Sequence, residues 1–392
     1  MDDLKIGVIG AGGRGKLAGY AHKPGKGSRI VACCDVSDRW LDDARKSYGD
    51  DIALTHDYRE LLDMALDAVF VTTPDFLHEE YATAALEAGK AVYLEKPMAI
   101  TIAGCDRILE AARRTGSRLY LGHNMRHMPF VIKMKELIDS GAIGEVKTAW
   151  CRHFVGNGPD FYFKDWHAER RYSTSLLLQK AAHDIDVLHW LCGSFSRRVT
   201  AMGDLMVLGK IESRRPDTGL PQPLDRESLD WKRWPPAAHE GMNPVIDVED
   251  VSLMLMQLDN GVLASYQQCH FTPDYWRNYT VIGSEGRIEN DGNGEQGTTI
   301  KLWNQRHGWC PEGDVAYPVD EAAGGHGGAD PNIVAEFVRF AKEGGATQTS
   351  PVAARNSVAA GCLAAQSLRN GSVPLDVPRL DDALIAYFDR QV

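Results

Sequence analysis

Residues 5–15 read Lys-Ile-Gly-Val-Ile-Gly-Ala-Gly-Gly-Arg-Gly. The apolar run Ile6–Ile9 is strand-like and feeds Gly10, Gly12 and Gly15, after which the chain can start a helix. In such a turn the first glycine permits the bend, the second lets a pyrophosphate approach the backbone, and the third lets helix and strand pack closely. The phosphates would rest on unpaired N–H groups at a helix N-terminus, with Gly13 and Arg14 inside the loop. A second apolar run, Ile30–Cys34, ends in Asp35, about 20 residues past the last glycine, where a carboxylate can accept both hydroxyls of an adenosine ribose. Triplets of glycine are common by chance in a chain with 38 of them. The strand before, the helix start after and the acid at this distance make this one a dinucleotide-site prediction. An acid at 35 repels a ribose 2′-phosphate, so NAD is favoured over NADP. Arg39 either softens that preference by pairing with a phosphate or lies exposed on the next helix.

Working outward, short apolar segments recur around Leu54 and at Ala68–Thr73, Ala91–Leu94 and Leu119–Leu121. Helix-like stretches separate them at Asp57–Ala65, His78–Ala88 and Ile102–Thr115, the last two closed by Gly89 and Gly116. Alternation of this kind predicts an α/β Rossmann domain, a doubly wound parallel sheet, over residues 1–122. Ligands bind beyond the carboxyl ends of such strands. That singles out Thr72-Thr73-Pro74, Glu95-Lys96-Pro97 and His123-Asn124. Over 123–392 the pattern becomes that of an α+β domain with a large, mostly antiparallel open sheet. A helix is predicted at Pro129–Ser140, then strands at Val146–Val155, Val199–Val207, Val251–Leu258, Gly261–Phe271, Asn278–Ile282 and Thr299–Trp303. One long helix is predicted at Leu176–Leu191, and two more at about Pro331–Glu343 and Ala353–Arg369. Residues 209–247, rich in proline and charge and holding Trp231 and Trp234, read as a long loop over an active-site mouth or at a subunit contact.

Composition bounds the function. With 392 residues, 44% hydrophobic and 25% charged, the chain reads as a soluble globular protein of two or three domains. A net charge of −11 argues against non-specific nucleic-acid binding and against an anionic membrane surface, both of which use excess Lys and Arg. No apolar run approaches the roughly 20 residues of a membrane span. The start runs straight into the first strand, so no secretory leader is expected. The eight cysteines are scattered without a C-x-x-C, as in a reduced, cytoplasmic protein, and no metal site is expected.

The arrangement resembles the glucose–fructose oxidoreductase / inositol dehydrogenase / rhizopine-catabolism (Gfo/Idh/MocA) family over essentially the whole chain. The motifs that carry the resemblance are Gly10–Gly15, Asp35, Thr73-Pro74 with His78, Glu95-Lys96-Pro97, Asn124-x-Arg126-x-x-Pro129 and His183-Asp184-Ile185-Asp186. It implies a nicotinamide dinucleotide on the first domain, held by these residues with Thr72 and Asn124. It also implies a sugar or polyol pocket on the second domain and, often, assembly into a homodimer or homotetramer. Lys96, beside the nicotinamide and partly desolvated, would have a lowered pKa suited to polarising a hydroxyl or carbonyl. Glu95 would orient its neighbours, and the bond before Pro97 is often cis in the family. His183 falls where the family carries a catalytic histidine, and Asp186, three residues on, shares its helix face.

The chain departs from the family one helical turn earlier. Inositol dehydrogenases typically carry an aspartate there, whereas this chain has Gln179 followed by Lys180. Gln can hold a hydroxyl but cannot take a proton, so the set becomes Gln179, Lys180 and His183 with Lys96. Arg126, Arg152, His153, Lys164, Arg170 and Arg171 add cations, which are either solvated or select an anionic sugar. Tyr162 and Trp166, within the aromatic stretch 161–166, could stack on sugar rings or form a packed edge. His326, in Gly324–Asp330, is placed near the ligand by the same resemblance. Three functions follow. The first is an NAD-dependent oxidoreductase of a sugar, polyol or glycoside. The second is a redox-neutral, NAD-dependent glycoside hydrolase that oxidises transiently, eliminates, adds water and re-reduces. The third is a non-catalytic dinucleotide-binding sensor, against which the intact Glu95-Lys96-Pro97 with His183 argues.

Overall fold

The computed structural model describes residues 2–224, 229–293, 297–320 and 323–390. Six strands form the first sheet: β1 (Leu4–Ile9), β2 (Ser28–Cys34), β3 (Ala53–Thr55), β4 (Ala68–Val71), β5 (Ala91–Leu94) and β6 (Leu119–Leu121). Their order is β3-β2-β1-β4-β5-β6, every pair parallel. Parallel sheets are covered on both faces, which is why β4, β5 and β6 read as unbroken apolar runs and are buried at every residue. The segment after the glycine turn, Gly13–Ala21, is a 3₁₀ helix.

The second sheet has nine strands in the order β14-β13-β12-β11-β7-β10-β9-β8-β15. They are β7 (Val146–Val155), β8 (Ser196–Asp204), β9 (Val251–Leu258), β10 (Leu263–Cys269), β11 (Tyr275–Gly283), β12 (Arg287–Asp291), β13 (Thr299–Trp303), β14 (Val315–Pro318) and β15 (Leu375–Asp376). The pairing is antiparallel except between β7 and β10. Burial alternates along β9, with Leu253 and Leu255 exposed between Ser252, Met254 and Met256, so one face packs against helices and the other is open. Strands β12, β14 and β15 were not expected from sequence; they are short edge or hairpin strands with weak alternation.

The chain divides into two compact units. One is Met1–Met128 with Ala322–Arg355 and Leu380–Val392, and the other is Pro129–Glu321 with Asn356–Arg379. This corrects the expectation of a single break at 122/123. The helix Ala329–Glu343 returns to the first sheet because its apolar stripe, Ile333, Val334, Phe337 and Phe340, fills a core with Phe70, Tyr93 and Tyr120. The Phe337 ring stands edge-on to Phe70 at 5.0 Å.

The long helix predicted at Leu176–Leu191 is a second correction, since two helices occupy it, Leu176–Gln179 and Ala182–Cys192. The Leu176 carbonyl accepts N–H groups from both Lys180 (3.0 Å) and Ala181 (3.1 Å), a widened, π-like turn of a kind that recurs at functional sites. Gly361 presses on the first segment, where a Cβ would stand 2.5 Å from the Leu177 carbonyl oxygen. Residues 209–247 form the expected long loop, with Trp231 and Trp234 exposed; 225–228 lie outside the described residues. No helix among the described residues is long and apolar enough to cross a membrane.

Candidate active site

In the first unit the predicted residues gather at the carboxyl ends of the parallel strands. Gly10 has φ +88°, and a Cβ there would stand 2.9 Å from the Thr72 carbonyl carbon and the Thr73 nitrogen, so only glycine lets the turn pass the end of β4. Thr72 Oγ1 donates to the Gly10 carbonyl at 2.8 Å. At Gly15 a Cβ would lie 2.0 Å from the Gly10 carbonyl oxygen, the close packing expected of the third glycine. Gly12 differs, because the space its side chain would take is filled by the Trp40 indole. The Asp35 carboxylate accepts the N–H groups of Gly12 (3.2 Å) and Ser37 (3.0 Å), which holds it beside the loop. Arg39 is exposed on the helix Asp38–Tyr48, its guanidinium 5.2 Å from the Trp40 ring centroid.

Glu95, Lys96 and Pro97 follow β5, with a cis bond before Pro97. Buried Glu95 accepts from Arg14 Nε (2.6 Å) and the Tyr93 hydroxyl (3.3 Å) through one oxygen and from the Lys96 N–H (3.0 Å) through the other. Arg14 grips Asp330 with its two remaining nitrogens at 2.7 and 2.9 Å, the bidentate fork that suits guanidinium and carboxylate. Asp330 also accepts from Asn124 Nδ2 (3.2 Å) and faces His326 Nδ1 (3.0 Å). Burial works to raise the Asp330 pKa, but His326 and Arg14 outweigh it and hold the carboxyl below the usual range. Arg14 was expected in the cofactor loop. Its guanidinium joins Glu95 to Asp330, and its contribution to the loop is backbone. His78, also predicted at the cofactor, is fully buried, with ring nitrogens 2.7 Å from the Pro97 carbonyl and 3.0 Å from that of Thr73. It ties two strand ends together from beneath.

Thr73 Oγ1 and Asn124 Oδ1 are buried with no hydrogen-bond partner among the described residues. Buried polar atoms are rarely left so. Together with the glycine turn and the anchored Asp35, these atoms at the strand ends fit a polar dinucleotide.

In the second unit His183 lies in the first turn of the helix Ala182–Cys192. The next residue, Asp184, is fully buried against the sheet, where it accepts from the Tyr279 hydroxyl, pairs with Arg277 at 2.8 Å and meets His153 Nδ1 at 3.2 Å. Burial opposes ionisation of Asp184, but Arg277, then His153 and Tyr279, hold its carboxyl well below the usual carboxylate range. His153 is driven well below the ordinary histidine value by burial and by Arg277. No local signal announces this network, because its members lie on two strands and a helix far apart in sequence. Asp186 and Gln179 are buried near the same helix start. Lys180 Nζ lies 5.3 and 5.9 Å from the ring centroids of Tyr162 and Tyr275, cation–π contacts of which only Tyr162 was foreseen as a site residue. Trp166 stacks on His167 at 3.7 Å.

The expected surplus of positive charge is largely offset. Lys164 is buried against Asp160 (2.8 Å), Arg170 pairs with Glu249 (3.2 Å) and Arg171 with Glu169 (2.7 Å). In the first unit, Arg126 donates to the Gln348 carbonyl at 2.9 Å. Arg152 is a further correction. On β7 the buried Cys151 and His153 point toward Asp184, and side chains alternate along a strand, so Arg152 stands on the opposite, open face with Asn278 and Trp276. The sheet itself separates it from His183. Among the described residues no group of three His, Cys, Asp or Glu is arranged to hold a metal.

A parallel dinucleotide-type domain joined to a helix-backed open sheet defines the class. Residues 4–123 match the model described as oxidoreductase family, NAD-binding Rossmann fold, and 131–289 match the GFO/IDH/MocA C-terminal domain. The chain belongs to the GFO/IDH/MocA oxidoreductase family, and its first domain is an NAD-binding Rossmann domain. It is 31% identical over 192 residues to inositol 2-dehydrogenase of Salmonella typhimurium, covering 48% of this chain and 54% of that one. It is 34% identical over 200 residues to inositol 2-dehydrogenase 1 of Saccharopolyspora erythraea, covering 50% and 57%. The chain thus matches little more than half the length of these curated relatives. In fold it is similar to levoglucosan dehydrogenase in complex with NADH and L-sorbose, with TM-score 0.75, 22% identity and coverage of 97% and 100%. It is likewise similar to a probable dehydrogenase from Thermotoga maritima, with TM-score 0.70, 22% identity and coverage of 95% and 99%.

Proposed function

We propose that the protein is an NAD-dependent oxidoreductase acting on a secondary alcohol of a neutral sugar, polyol or glycoside. The observation that carries the reading is the end of β5, where Lys96 follows a buried Glu95 whose carboxylate holds the Lys96 N–H at 3.0 Å and is itself fixed by Arg14. A lysine so anchored is suited to hydrogen-bond the reacting oxygen as it gains alkoxide character. His183, at a helix start held down by the neighbouring Asp184 network, is suited to take the hydroxyl proton. Bound NAD supplies the hydride acceptor. Asp35 and the glycine turn would hold its adenosine and diphosphate, and Thr73 and Asn124 its remaining polar groups. Gln179, Lys180, Tyr162, Trp166 and His326 are assigned to the substrate. The paired cations favour an uncharged substrate over the anionic sugar considered from sequence.

Absorbance at the NADH band, run against sugars, polyols, sugar acids and aryl glycosides with released aglycone followed in parallel, tests this. NADH accumulating on a sugar or polyol is the expected result. Aglycone release with flat NADH would instead identify the redox-neutral hydrolase, which Gln179, a group unable to take a proton where an aspartate is usual, favours. Lys96→Met should lower turnover by roughly 10²–10⁴-fold, and turnover within a few-fold of wild type would remove Lys96 from the chemistry. The open sheet face, with Met202, Leu253, Leu255 and Leu263 exposed, supports self-association into a dimer or tetramer. Light scattering on the eluting protein reads this directly.

A further inference from the structure

Gly12 is where the cofactor loop and the helix after β2 meet. A Cβ built on Gly12 would stand 2.5 Å from Trp40 Nε1, 2.6 Å from Cδ1 and 2.7 Å from Cδ2. Those three atoms belong to the five-membered ring, so the indole lies flat over the side of Gly12 from which a side chain would project. That is the side which the second glycine of this turn keeps clear for a pyrophosphate. Indole and diphosphate therefore compete for one surface.

The residues that hold the indole there are also the ones a dinucleotide would engage. Asp35 accepts the N–H of Gly12 at 3.2 Å and that of Ser37 at 3.0 Å, so one carboxylate joins the glycine turn to the turn bearing Trp40. The backbone N–H of Trp40 in turn donates to the Ser37 carbonyl at 3.1 Å, which fixes the start of the helix that carries the indole. Lys16 Nζ and the Arg39 guanidinium lie 5.1 and 5.2 Å from the Trp40 ring centroid. Ribose hydroxyls reaching Asp35 would share its two oxygens with those backbone donors, and a diphosphate would draw Lys16 and Arg39 from the ring.

We infer that Trp40 is a gate on the cofactor site, packed over Gly12 and turned away when the diphosphate of NAD binds, with Lys16 and Arg39 passing from the indole to the phosphates. The inference rests on the NAD-binding assignment. A closed gate lowers apparent affinity by the fraction of molecules that are open.

The test is calorimetric titration of the whole protein with NAD and with ADP-ribose, alongside tryptophan fluorescence and stopped-flow mixing. The variants are Trp40→Ala and Trp40→Phe. Wild type should show a fluorescence change with either ligand and an association rate that levels off as ligand rises. Trp40→Ala should lose that change and bind both ligands tighter, roughly three- to ten-fold if the closed form dominates, with Trp40→Phe intermediate. Weaker or unchanged binding by Trp40→Ala, with the protein still folded by circular dichroism, would overturn the gate and leave the NAD assignment standing. Failure of wild type to bind either ligand would overturn both. If Trp40→Ala does not fold, Trp40→Phe decides by the same comparison.

Discussion

His270 gives the second unit a stability that acid should remove. The imidazole is fully buried after β10, with Tyr162 and Phe163 rings at 5.5 and 5.8 Å, and Nδ1 lies 3.4 Å from the Asp250 carbonyl. Burial, and secondarily the charge of Lys180, push its pKa down to about 3. An unfolded histidine titrates at about 6.5. The folded value is the lower one, so the unfolded chain takes the proton first. The contribution is therefore complete above pH 6.5 and is lost as pH falls from 6.5 toward 3, at about 1.4 kcal/mol per pH unit. Between pH 6.5 and 5 the loss is about 2 kcal/mol, a large part of a typical stability of roughly 5–15 kcal/mol. His153 is lowered in the same direction, by burial and then by Arg277. Urea unfolding at pH 7.5 and 5.0 should show wild type losing about 2 kcal/mol more than His270→Gln, whatever the variant's own cost at pH 7.5. An equal loss in wild type and His270→Gln would refute a neutral, buried His270.

Three further outcomes follow from the same contacts. Asp184→Asn leaves Arg277 buried without its carboxylate, which should cost about 3–5 kcal/mol and is read from the shift in urea midpoint; His183 should lose activity with it. Gly15→Ala sets a methyl 2.0 Å from the Gly10 carbonyl oxygen, so the turn must shift, at about 1–3 kcal/mol, and calorimetry should show NAD binding weakened along with thermal stability. Asp35→Asn keeps the shape but removes the charge that repels a 2′-phosphate, so the ratio of NADP to NAD affinity should rise by about 10- to 100-fold, or about 1.4–3 kcal/mol.

What could be read from the chain were the features fixed by neighbours in sequence. The spacing of Gly10, Gly12, Gly15 and Asp35, the apolar runs of the parallel strands and the helix Ile102–Thr115 with its Gly116 cap depend on local geometry, and they stand where the pattern predicts. Gly10 shows why, since its positive φ is a property of one residue in one turn. Tertiary structure decided everything that needed a partner far along the chain. Arg14 reaches Asp330 across 316 positions, and Asp184 meets Tyr279 across 95, so neither pairing leaves a trace in local spacing. Packing of Gly361 on Leu177 accompanies the break in what reads as one helix, and strand alternation sends Arg152 to the open face while His153 goes beneath His183's helix. A sequence records which groups are present and how the nearest bend. Which charges neutralise one another depends on which surfaces the apolar runs bring together.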